Sequence, residues 1–190
     1  KIEPFENIGP RICRFTDDTV LTLAIGRTVT EANDTQDLDS IKRLASKYLR
    51  KYYKRYPIFH MGSNLSEFLS QKFDFRLKEI GSCFGTCFID WAESTALESK
   101  KLSNMNGGPM RISAVGWMYD DLDTTIKVAR TVTEITHNGA AITAAETLAA
   151  LIYLARRNKD KQVLIDYAAE QGYEVSPFDE QRQDELRRIK

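Results

Sequence analysis

The run from Ala140 to Arg157, AAITAAETLAALIYLARR, constrains the fold more than any other part of the chain. It is apolar on nearly all sides and rich in alanine, so it reads as a helix that other elements surround. Thr143, Glu146 and Thr147 interrupt it, which leaves it short of the ~18 uninterrupted apolar residues of a membrane span. Elsewhere the apolar spacing is helical and no convincing run of alternating residues occurs. The expected fold is therefore all-α: a compact, multi-helix, single domain over residues 1–190.

Several other helices can be placed. Val20, Leu21, Ala24, Ile25, Thr28 and Val29 form one face of a helix with Thr16 as N-cap and Asp17 and Asp18 in its first turn. A second, about Leu38 to Tyr56, aligns Ile41, Leu44, Ala45, Tyr48, Leu49, Tyr52 and Tyr56 and ends at Pro57. Its opposite face is basic (Lys42, Arg43, Lys47, Arg50, Lys51, Lys54, Arg55) and reads as solvated surface. NLSE, Asn64 to Glu67, has capping-box spacing for a short helix, and GSCFGTCFIDWAES leads into another. A helix over Leu122–Thr136 follows, with Asp120 or Asp121 as N-cap, and a shorter one over Lys161–Gln171 stops at Gly172. The tail SPFDEQRQDELRRIK starts well but carries few apolar residues, so it needs a partner surface or further chain. The chain begins at Lys1 without methionine and stops on a charged string, and the expectation is that it is incomplete at both ends.

Composition removes several function classes. With 27 basic and 27 acidic residues the formal charge is zero, so no global field draws the chain to nucleic acid or an anionic membrane. Cys13, Cys83 and Cys87 are odd in number and few, favouring reduced thiols and an intracellular, cytoplasmic setting, with an organelle left open by the expectation that the N-terminus is incomplete. His60 and His137 are the only histidines and are far apart, so a histidine-rich zinc site is out, and Cys83 with Cys87 is a poor zinc set. Nucleophile-elbow, Walker and dinucleotide-binding patterns are missing.

Two features keep chemical interest. In TDDT the Thr16 hydroxyl and the Asp17 and Asp18 carboxylates are hard oxygen ligands of the kind magnesium takes. Acids in a first turn also complement the helix dipole by about 0.3–1 kcal/mol each, which explains the same residues without a metal. In MNGGPMR, Gly107 and Gly108 allow backbone N–H groups close to an anion, Pro109 suits a helix start and Arg111 adds charge. An ordinary turn between helices looks the same.

RFTDDTVLTLA, GTCFIDWA, NGGPMRISAVGW and EITHN stand in an order and spacing that resemble the ADP-ribosylglycohydrolase family, over Arg14 to about Arg157. That resemblance implies an all-α ADP-ribosylglycohydrolase-like domain and a magnesium-dependent hydrolase that removes ADP-ribose from modified protein side chains or related small conjugates. It implies Thr16, Asp17 and Asp18 as metal ligands. It implies Asn106, Gly107, Gly108 and Met110 as the turn that cradles the diphosphate and ribose, with His137 beside the substrate. A helix-end histidine explains His137 equally well without the family. No residue is singled out as the catalytic acid or base.

The departures from the family pattern define an alternative. The later Asp-x-Asp-Thr motif that completes the metal site has no counterpart before Lys190, and the acidic opening segment has none that can be aligned. Met105 replaces the turn's first glycine, and HNGAAI replaces the common His-Asn-His-Pro. The alternative is a catalytically inactive descendant, a structural or interaction subunit within a larger assembly.

Overall fold

The computed structural model describes residues 17–32, 35, 37–55, 86–158 and 160–173. Among these, eight helices and no strands occur: α1 (Asp17–Glu31), α2 (Leu38–Arg55), α3 (Thr86–Glu93), α4 (Gly107–Met110), α5 (Ser113–Met118), α6 (Leu122–Thr133), α7 (Ala140–Arg157) and α8 (Lys161–Glu170). Thr16, Cys13, Tyr56, Pro57, His60, the NLSE segment, Cys83, the Cys87 side chain and the tail from Ser176 lie outside what is described.

The helical stripes found in the sequence become buried faces. α1 buries Val20, Leu21, Ala24, Ile25, Thr28 and Val29, the six positions its spacing selects. Burying them contributes about 25 cal/mol per Å² of apolar surface removed from water. α1 and α2 pack on each other, and α2 also meets α3 and α6. The core joins Leu21, Ile25, Ile41 and Leu49 to Phe88, Trp91, Val115, Val128 and Val132. α6 starts where Asp121 caps it, its Oδ2 accepting from the Thr124 amide at 2.7 Å. It stops at Thr133, three residues before the expected end, because the chain must turn to lay Thr136–Asn138 alongside Ser103.

Two expectations need correction. α7 does touch α4, α5, α6 and α8. Yet its buried residues are small (Ala141, Ala145, Thr147, Ala149, Ala150), while Leu148 remains 38% exposed and Leu151, Ile152 and Leu154 are half-buried. Small residues let neighbouring backbones come close: a Cβ on Gly116 of α5 would lie 2.6 Å from Ile152 Cβ. The basic face of α2 is likewise not all solvated. Lys42 Nζ reaches Glu98 at 2.6 Å and Glu134 at 2.8 Å, with only 14% of its side chain exposed. Burial lowers the Lys42 pKa, but Glu134 and Glu98 outweigh it and leave the pKa raised. Arg50 lays its guanidinium 4.4 Å from the Trp91 ring centre and donates to the Trp91 carbonyl at 3.2 Å and to that of Ala96. Long stems let both cations cover apolar surface while their heads find oxygen atoms.

Candidate functional site

The two glycine-rich breaks, which begin at Asn104 and Thr136, meet in space. The Ser103 amide donates to the Thr136 carbonyl and the Asn138 amide donates to the Ser103 carbonyl, both at 2.9 Å, forming a one-residue parallel bridge with His137. Asn104 Oδ1 accepts from the Ala141 amide at 3.3 Å, satisfying a donor at the start of α7. Gly139, just before that helix, has φ +51°, a region side chains rarely enter. A Cβ there would also stand 3.2 Å from Asn104 Oδ1.

From this anchor the chain enters α4, where the Met110 amide donates to the Asn106 carbonyl at 3.1 Å. Gly107 and Gly108 are buried, while Asn106 and Met110 are exposed. A Cβ on Gly108 would lie 2.7 Å from Thr133 Cγ2 and 3.4 Å from His137 Cγ. Gly108 is thus required by close packing of the turn onto the end of α6, whether or not a ligand meets its amide. Arg111 is also not where its charge suggested. It is fully buried, donating to the Val132 carbonyl at 3.3 Å and to Thr136 Oγ1 at 2.7 Å, so it ties the turn to α6.

His137 is 3% exposed, with its ring against Gly108 and Nδ1 2.8 Å from Thr136 Oγ1. Burial, then the nearby Arg111 charge, push its pKa down from 6.5 to about 3. The imidazole is therefore neutral in the folded chain. On acidification the unfolded chain takes up this proton first, so stability is fully present above the ordinary histidine pKa and declines as pH falls toward about 3. Denaturant titrations across that window should show wild type losing up to about 1.4 kcal/mol per pH unit more than His137→Gln. Parallel curves for the two proteins would refute the neutral, buried imidazole.

α1 packs against α4 and α5. Thr22 Oγ1 approaches the Met110 carbonyl at 3.5 Å, and Asp18, four residues earlier, shares the helix face of Thr22. Asp17 Oδ2 is buried with no hydrogen-bond partner among the described residues, an expensive state for a carboxylate oxygen unless something electropositive meets it. A hard divalent cation fits that donor chemistry. Among the described residues no cluster of three or more His, Cys, Asp or Glu side chains is placed to hold a metal.

Asn106, Gly107, Gly108, Met110 and His137 are thus brought together, with the helix that carries Asp17 and Asp18 packed on the same turn. Asn104 and Thr136 escaped the sequence reading. An asparagine before a glycine-rich turn and a threonine at a helix end are too common to signal that they anchor one segment to the other.

The arrangement defines an all-helical domain in which two loops close on each other beside an acidic helix start. The chain belongs to the ADP-ribosylglycohydrolase family, whose sequence model matches residues 2–190. Neither the curated proteins nor the solved structures contain a significant match. Among the described residues no helix is long and apolar enough to cross a membrane.

Proposed function

We propose that the chain binds an ADP-ribosyl group and, with magnesium, hydrolyses the bond between that ribose and a protein side chain or small acceptor. The observation carrying this reading is the closure of Asn106–Met110 on His137 beside α1, together with the buried, unpartnered Asp17 Oδ2. Asn106 and Met110, exposed on the turn, face a ligand, and the first amides of α4 have no partner within that helix. Thr16, Asp17 and Asp18 would hold the magnesium ion. When bound, the ion orients ribose hydroxyls and polarises the ligand. Cleavage at the anomeric carbon develops oxocarbenium charge, which a carboxylate near that carbon and not engaged by the ion would oppose. His137, being neutral, adds no positive charge that would resist it.

Calorimetric titration with ADP-ribose, and thermal unfolding with and without magnesium, test this directly. Binding and a magnesium-dependent rise in Tm are expected. Absence of both would favour the inactive, interaction-subunit reading.

Met105 offers a narrower check. Its side chain is 69% exposed, so removing it costs little packing. Met105→Gly should leave ADP-ribose affinity unchanged or raise it, since a side chain is removed from the edge of the turn. A large loss of affinity would show that Met105 is itself part of the binding surface.

A further inference from the structure

We propose that Thr136 is a positioning residue that fixes His137 as the Nε2–H tautomer, so that the ring presents a hydrogen-bond donor to an oxygen atom of the ligand. The role toward ligand rests on the ADP-ribosyl reading above; the tautomer does not.

The argument is one of proton accounting. A guanidinium only donates, so Thr136 Oγ1 accepts from Arg111 at 2.7 Å. The hydroxyl retains one proton, and its other close partner is His137 Nδ1 at 2.8 Å. If Nδ1 carried hydrogen, Thr136 Oγ1 would accept twice and its own proton would be stranded in a side chain only 2% exposed. The favourable chain therefore runs Arg111 N–H to Thr136 O–H to His137 Nδ1, leaving the imidazole proton on Nε2. The ring lies against the Gly108 backbone of the ligand-cradling turn, and Nε2 is the nitrogen left to meet a ligand once Nδ1 is taken by Thr136.

The charges around the ring agree. Arg111 opposes protonation. Glu134, three residues earlier, is engaged by Lys42 at 2.8 Å. Asn104 and Ser103, on the strap beside the bridge, are uncharged, as are Thr133 on α6 and Ala141 on α7. Among the described residues, Glu146 of α7 is engaged by Arg130 at 2.7 Å, and no carboxylate acts on the ring's protonation.

The test uses the full chain, wild type and Thr136→Val, with Thr136→Ser as the conservative control. Nitrogen-detected NMR of the histidine ring should report a single Nε2–H tautomer in wild type and Thr136→Ser, constant between about pH 5 and 8. Thr136→Val, which keeps the side-chain shape, should give a mixed or reversed tautomer. An unchanged Nε2–H signature in a folded Thr136→Val protein would overturn the proposal, as would an Nδ1–H tautomer in wild type.

Calorimetric titrations with ADP-ribose and with ADP give the second readout. Thr136→Val should weaken binding by about 5–10-fold, the scale of one hydrogen bond, with Thr136→Ser restoring it. A loss confined to ADP-ribose puts the accepting oxygen on the distal ribose; an equal loss for ADP puts it on the diphosphate. No loss for either would overturn the donor role. If wild type bound neither nucleotide, the functional reading would fail, and the tautomer would still be decided by NMR.

Discussion

Asp17→Asn and Asp18→Asn are each expected to abolish magnesium-dependent ADP-ribosyl hydrolysis while leaving the fold intact. The amide keeps the carboxylate's shape but loses the charge with which the proposed site would hold a divalent cation. A fall in turnover of about 10²-fold or more is the scale seen when a group that stabilises developing charge is removed. Stability should change little, because each substitution removes only a first-turn acid worth about 0.3–1 kcal/mol to the helix. For Asp17 part of that loss is offset, since without metal its Oδ2 is a buried atom lacking a partner among the described residues. Two measurements separate the possibilities. Turnover reports catalysis, and the magnesium-dependent shift of Tm reports ion binding without any reaction. Wild type should show the shift and both variants should lose it. Undiminished turnover in both would reject the assigned role, and a variant already unfolded without magnesium would show that these acids serve the helix instead.

The helices were legible because each carries its own periodic signal. The six buried positions of α1 and the bounds of α7 follow from residue spacing, and Asp121 and Gly172 act where capping chemistry puts them. What spacing does not encode is which side chains a neighbouring element will claim. Lys42 and Arg50 look like solvent cations until Glu134, Glu98 and the carbonyls of Trp91 and Ala96 are folded over them. Arg111 follows the glycine turn and looks like a phosphate ligand, yet its partners, Val132 and Thr136, lie more than twenty residues away. For the same reason the sequence placed Gly108 and His137 in separate motifs, and only the fold puts one against the other. The hard oxygen donors of TDDT were visible as chemistry in the sequence, whereas the burial of Asp17 Oδ2 is a tertiary fact.

Gly116→Ala should be among the most destabilising single methyl additions this chain can suffer. The new Cβ would stand 2.6 Å from Ile152 Cβ, 2.7 Å from Ile152 Cγ2 and 2.8 Å from the Ala149 carbonyl oxygen. Two of those three atoms, a Cβ and a backbone oxygen, move only if α5 and α7 separate. Overpacking of that kind typically costs about 1–3 kcal/mol, occasionally more. Trimming Ile152 to Ala removes Cγ2 but leaves the other two contacts, so the double variant should not recover. Gly108→Ala is the informative comparison. Its one severe contact is Thr133 Cγ2 at 2.7 Å, with His137 Cγ next at an ordinary 3.4 Å. That methyl belongs to a β-branched side chain stiff about χ1, so it yields poorly in place. Thr133→Ser deletes it, and the Gly108→Ala, Thr133→Ser pair should regain most of the stability lost by Gly108→Ala alone. Denaturant unfolding of the four proteins and wild type checks both statements. Rescue of Gly116→Ala by Ile152→Ala would mean that α5 and α7 have slack to separate. Failure of Thr133→Ser to rescue Gly108→Ala would mean the turn is held against His137 more tightly than its 3.4 Å spacing allows.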